Sequence, residues 1–245
     1  MIATRVDAQI VNVQGALAKP PEEDGVTGQI ETKVDWRTGN TSLLDVGATA
    51  TVLVRHCRFL GLAIARGEYG RSADLTFKRK TFEHLRLRTT LGDRWRWEVY
   101  GQHELDTFRR LSVRALAGTG PALQLVDGAR ASVLTGASYL LEYERLDDRM
   151  GASDAGARGF GHRASFYATG TESLSEAVSI VQTVYVQPRI SDLGDVRVLG
   201  EVAVTSKLSE HIALVDGFTI AYDRTPPEGI KRYDTQLRIA LLITF

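Results

Sequence analysis

The sequence lacks most of the usual devices for stapling a fold or giving it chemistry. A single cysteine in 245 residues excludes a disulfide framework and any cysteine-rich zinc site. An excess of one charge is missing too. With 30 Lys+Arg against 30 Asp+Glu, the chain lacks the electrostatic footprint of a nucleic-acid binder. No run approaches the roughly 18 to 20 apolar residues of a helical membrane span, and helical periodicity is almost absent. Apolar residues are nonetheless spread along the whole chain, which excludes disorder.

What is present is strict alternation. Val26, Gly28, Ile30, Thr32, Val34 and Trp36 share one face, and Gln29, Glu31, Lys33 and Asp35 take the other. A side-chain period of two is that of a strand. Val46, Val52 and Val54 next oppose Asp45, Leu53 and Arg55, and Leu60, Leu62 and Ile64 oppose Gly61, Ala63 and Ala65. Leu85 and Leu87 then oppose Arg86 and Arg88, and Trp95, Trp97 and Val99 oppose Arg96 and Glu98. Val113 and Ala115 oppose Arg110 and Arg114, and Tyr139, Leu141 and Tyr143 oppose Glu142 and Glu144. Phe166 opposes Arg163, Val198 and Val202 oppose Arg197 and Glu201, and Leu237 and Ile239 oppose Asp234 and Arg238. Residues 177–187 read in either phase, and Asp216 falls on the apolar face of 212–222. A bulge at either place would restore the phase.

These segments predict about twelve strands, many longer than the usual 5 or 6 residues and matching the 9 to 11 of a tilted bilayer crossing. Short links at 55–58, 91–94, 126–129, 174–176 and 208–210 alternate with longer ones at 67–79, 146–161, 188–195 and 223–231. Links 37–40 and 105–107 are short exceptions in the longer set. Short periplasmic turns and longer outside loops are the pattern of outer-membrane barrels. Trp36, Trp95, Trp97, Tyr143, Tyr233 and Phe245 lie near strand ends, where amphipathic rings favour the headgroup level. The expected fold is therefore all-β: a transmembrane, antiparallel, up-and-down β-barrel over residues 26–245. Residues 1–25 form an N-terminal periplasmic arm or linker, whose Val6 to Val13 could instead plug the lumen or add a strand. An exported chain needs a signal peptide, yet Met1 leads directly into polar, mixed sequence. The expectation is a mature form, its signal removed and restarted with Met.

Several runs resemble a known family, the salt-induced outer membrane proteins, which is named for a domain of unknown function. They are Thr38-Gly39-Asn40-Thr41, Gly118-Thr119-Gly120 after Arg114, Tyr185-Val186-Gln187-Pro188 with Asp195-Val196-Arg197, and Tyr222-Asp223-Arg224-Thr225-Pro226-Pro227-Glu228-Gly229. The resemblance implies an outer-membrane barrel and little chemistry. The alternating Leu237, Ile239, Leu241, Ile243 and terminal Phe245 also resemble the signal that such barrels present to their assembly machinery.

In a barrel of this kind the apolar set faces lipid and the polar set lines the lumen. The expected lining is Glu31, Lys33, Asp35, Asp45, Arg55, Arg86, Arg88, Arg96, Glu98, Arg110, Arg114, Glu142, Glu144, Arg163, Arg197, Glu201, Asp234 and Arg238. Arginines cluster on the fourth to sixth strands, and carboxylates on the first, second and seventh. Such stripes either set a transverse field across a narrow pore or pair and close the interior. The reading is non-enzymatic: a narrow pore, or a closed scaffold for envelope partners contacted by loops 146–161 and 223–231 and by residues 1–25. It calls for outer-membrane lipids and the assembly machinery as partners, with no nucleic acid, cofactor or metal. Its alternative is an outer-membrane hydrolase with a rim active site, built on His103 beside Glu104 and Asp106, or on His162. No Gly-x-Ser-x-Gly and no phosphate-cradling loop supports that alternative. Cys57 falls in a short turn with no second cysteine. A soluble lipocalin-like barrel would alternate in the same way but would need those charges on its outside.

Overall fold

Long segments with two unlike faces can hide only one, and this chain hides the polar one. The computed structural model describes residues 10–17, 21, 23–38, 42–73, 75–209 and 212–243. Twelve strands pair in chain order in one antiparallel up-and-down sheet. They are β1 (Gly25–Arg37), β2 (Leu43–His56), β3 (Phe59–Ser72), β4 (Leu75–Thr90), β5 (Trp95–Asp106), β6 (Leu111–Asp127), β7 (Ala131–Leu146), β8 (Arg158–Ser173), β9 (Val178–Arg189), β10 (Asp192–Lys207), β11 (Ile212–Asp223) and β12 (Tyr233–Ile243). Arg114 and Arg197 are 1% and 0% exposed, whereas Leu85 and Phe166 on the opposite face are 67% and 50% exposed. In water that arrangement is inverted; with lipid outside and a polar lumen it satisfies both faces. No backbone pairing joins β1 to β12 among the described residues, but Arg238 of β12 reaches Glu31 of β1 across the seam.

Three sequence expectations change. First, apolarity alone predicts that Leu60, Leu62 and Ile64 face lipid. They point inward, because they stand opposite Arg55, Leu53 and Thr51 of β2, which also do. Their partners are Val13 and Leu17 at and beside the single-turn helix α1 (Gln14–Leu17), with Leu53 and Phe82. Second, the registers through 178–188 and 212–223 are continuous, so no bulge restores the phase at either place. β9 turns Thr183 and Tyr185 inward, while Asp216 keeps its outward position opposite Val204 and Ile239. The register shifts that do occur fall near strand ends, as at Gly70/Arg71 and Glu104/Asp106. Third, most of 67–79 and 188–195 is strand rather than loop. Inward polar residues extend these strands because they find charge partners: Lys78 sits 2.8 Å from Asp45 and 3.1 Å from Glu68. Cys57 is a free, exposed cysteine, and its backbone amide donates to Asp24 Oδ1 at 2.8 Å.

Candidate functional site

The inward face is filled by two charge networks, and each arises from strand alternation. On β4 and β5, Glu98 accepts from Arg86 Nη1 at 2.9 Å and from Arg88 Nε at 2.7 Å. The Tyr167 hydroxyl, arriving from β8, donates to the same carboxylate at 3.0 Å. Tyr167 can lie there because residue 136 beneath its ring is glycine; a Cβ at that position would collide with the ring. Arg86 also stacks 4.2 Å from the centre of the Tyr100 ring.

The second network centres on Glu142 of β7. It accepts from Arg114 Nη2 at 3.1 Å, Arg163 Nε at 2.7 Å and Arg197 Nη1 at 3.1 Å. Glu144 meets Arg114 and Arg197 at 3.1 and 3.2 Å. Arg197 belongs to β10, three strands from β7, so this contact crosses the interior rather than running along the wall. Asp195 and Asp223 complete the shell around Arg163 and Arg197.

Residues 10–17 occupy the remaining interior. Gln14 accepts from Arg88 Nη2 at 2.8 Å, and Ile10 packs with Ala122, Leu134, Tyr167, Tyr185, Leu199 and Ala221. A cavity of about 20 Å³ lies between this segment and His84, Arg86, Tyr100 and Arg114, enough for about one water.

The other expected lining residues sit nearer the ends or the seam. Lys33 pairs with Asp45 at 2.7 Å, Asp35 with Arg37 at 2.9 Å, and Asp234 with Arg109 at 3.3 Å. Arg55, Arg96 and Glu201 are half-buried. Arg110 leaves the lumen set for the loops. It lies just after the 3-10 turn Thr107–Arg109 and binds Asp147 at 3.0 Å and Asp154 at 2.6 Å. It also donates to the Glu228 carbonyl at 3.0 Å, and Glu228 accepts from the Ser153 amide at 2.9 Å. Burial opposes the Arg110 charge, but Asp154 and Asp147 raise its affinity for its proton. Burial likewise opposes the Asp154 charge, yet the Glu228 amide and Arg110 hold that carboxyl below its ordinary range. The Ser153 hydroxyl and amide do the same for Glu228. Three connections are thereby tied together over one end of the barrel.

Alternation continued past the expected strand ends would have found Lys78 and Lys80, which share the phase of Arg86. Asp195 shares the phase of Arg197 and stands in the run Asp195-Val196-Arg197, whereas nothing local marked Gln14 or the loop contacts. Leu237 and Ile239 lie exposed on β12, Leu241 and Ile243 continue that strand, and Phe245 lies outside the described residues. Of the rim histidines, His103 bonds Glu83 at 2.7 Å and His162 bonds the Tyr139 hydroxyl. Among the described residues neither ring bonds a Ser, Thr or Cys. One group there could hold a metal ion: exposed Asp24, His56 and Cys57, with ligand atoms within 4.8 Å of one another.

The family described as protein of unknown function, DUF481, matches residues 31–245. No curated protein matches the chain. Among solved structures, the NanC porin in a rhombohedral crystal form is similar at TM-score 0.51 and 7% identity, over 90% of this chain and 99% of that one. The translocator domain of the autotransporter NalP from Neisseria meningitidis gives TM-score 0.43 and 13% identity, over 90% of this chain and 87% of that one.

Proposed function

The chain belongs to the DUF481 family, and from that premise we propose that it is a sealed β-barrel of the Gram-negative outer membrane, a structural scaffold rather than a diffusion pore or an enzyme. The observation that carries this reading is the Arg197–Glu142 contact across the interior, within a network whose members are almost fully buried. Barrels of about 8 strands fill with side chains, whereas about 16 leave a channel. At twelve strands the outcome depends on what fills the lumen, and here long charged chains and residues 10–17 do. Opposed stripes that bind one another have their fields cancelled locally, which removes the basis for a transverse field. On this reading lipids surround the barrel, loops 147–157 and 224–232 face outside partners, and β12 engages the assembly machinery.

Conductance of the refolded full chain in a planar bilayer tests the proposal. A heat-modifiable mobility shift on a gel would verify that barrels had formed and inserted. Inserted protein should stay silent; discrete conductance steps would overturn the sealed reading in favour of a narrow pore.

A further inference from the structure

Two pairs of arginines stand directly opposite each other in adjacent strands. Arg163 faces Arg189 inside the barrel, and Arg145 faces Arg158 on the outside. Like charges directly opposite in a sheet repel. Inside, the chain supplies its own remedy: the Asp195 carboxylate lies 3.0 Å from Arg163 Nη2 and 3.4 Å from Arg189 Nη1. Outside there is no such bridge. Arg145 touches the largely exposed Asp148 at 3.4 Å, and the Arg158 side chain meets no carboxylate among the described residues.

The surroundings indicate where the missing anion comes from. One rung further along the same outward face, Tyr143 stands opposite Phe160, with ring centroids 5.1 Å apart. Paired aromatic rings on a lipid-facing surface mark the headgroup boundary. Two residues of strand span about 7 Å, so the arginines lie just beyond that boundary, at the depth of lipid phosphates. We propose that Arg145 and Arg158 together clasp a phosphate on the headgroup of a membrane lipid, which acts as the exterior counterpart of Asp195. Two planar guanidinium forks suit a phosphate better than point charges would. The site rests on the outer-membrane reading above.

The test uses the folded full chain in a maltoside detergent, titrated with lipid A, a bisphosphorylated glycolipid, and read by native mass spectrometry. Arg145→Gln with Arg158→Gln should weaken lipid A binding at least about tenfold. Arg130→Gln, which removes a charge from a turn at the opposite end of the barrel, should leave binding unchanged. The proposal is overturned if the double variant binds as the wild type does, or if Arg130→Gln loses as much. It is overturned equally if inorganic phosphate displaces lipid A at equal concentration, since the site would then take a soluble anion. Should the double variant not fold, Arg158→Gln alone carries the same comparison. Heat-modifiable mobility of every sample reports separately whether the barrel forms, so failure of the outer-membrane reading is seen on its own.

Discussion

At Glu142 a single carboxylate faces the guanidinium groups of Arg114, Arg163 and Arg197, all inside the barrel. Removing one partner from a buried ion pair costs about 3 to 5 kcal/mol, because the remaining charges are left uncompensated in a poor solvent. Each of these arginines keeps a second carboxylate, so Glu142→Gln should fall at the low end, about 3 kcal/mol. The pair between Lys33 and Asp45 is as short as the Arg163–Glu142 contact, at 2.7 Å, yet its lysine side chain is 64% exposed. Water already solvates that charge, so Lys33→Ala should cost less than about 1 kcal/mol. Urea unfolding of both variants in lipid vesicles measures the two values. Equal costs would mean that the interior is as hydrated as the rim.

Among the connecting elements, Arg110 controls the most chain. It has φ 63°, a left-handed conformation that costs a non-glycine residue about 1 kcal/mol. From there its side chain reaches residues 37, 44 and 118 positions away. Arg110→Ala should release the 147–157 and 224–232 loops and raise their cleavage by trypsin about tenfold at neutral pH, equivalent to roughly 1.4 kcal/mol. Arg110→Gly relieves the backbone while losing the same contacts, and should release the loops equally. If only Ala did so, the backbone rather than the ion pairs would be responsible. Acid should act in the same direction as the substitution. The Asp154 and Glu228 carboxyls are held below their ordinary values of 3.8 and 4.5. Their contribution is therefore complete above those values and is lost as pH falls below them through the folded-state values. Amide-exchange protection of both loops should be flat from pH 7 to about 5 and decline only below 4.

The strands were legible because period-two alternation is written locally: Leu85-Arg86-Leu87-Arg88 declares both faces without reference to any other segment. Where local pattern and tertiary context disagree, the sequence alone misleads. Leu60, Leu62 and Ile64 look like a lipid face, and only the arrival of Val13 and Leu17 makes them an interior one. The loop contacts of Arg110 were illegible for the same reason, since its partners lie in two other connections, 37 to 118 positions away.

For the whole molecule, the decisive feature is the seam. An unpaired strand edge in hydrocarbon leaves a row of backbone groups unsatisfied, each costing several kcal/mol, so a twelve-stranded sheet cannot remain open in a bilayer. The sheet is already curled far enough for Arg238 to touch Glu31. Both side chains point inward in the alternation, as partners across a closed seam must. Insertion should therefore bring β1 and β12 into antiparallel pairing near these two residues. Glu31→Cys with Arg238→Cys, or with Ala240→Cys one rung along, in a Cys57→Ser background, should form a disulfide in lipid vesicles. Such a bond requires Cα atoms within about 7 Å, which neighbouring strands satisfy and an Arg–Glu contact reaching over a gap does not. If neither pair cross-links in protein that shows heat-modifiable mobility, the edges stay apart in the membrane and another polypeptide must pair with them.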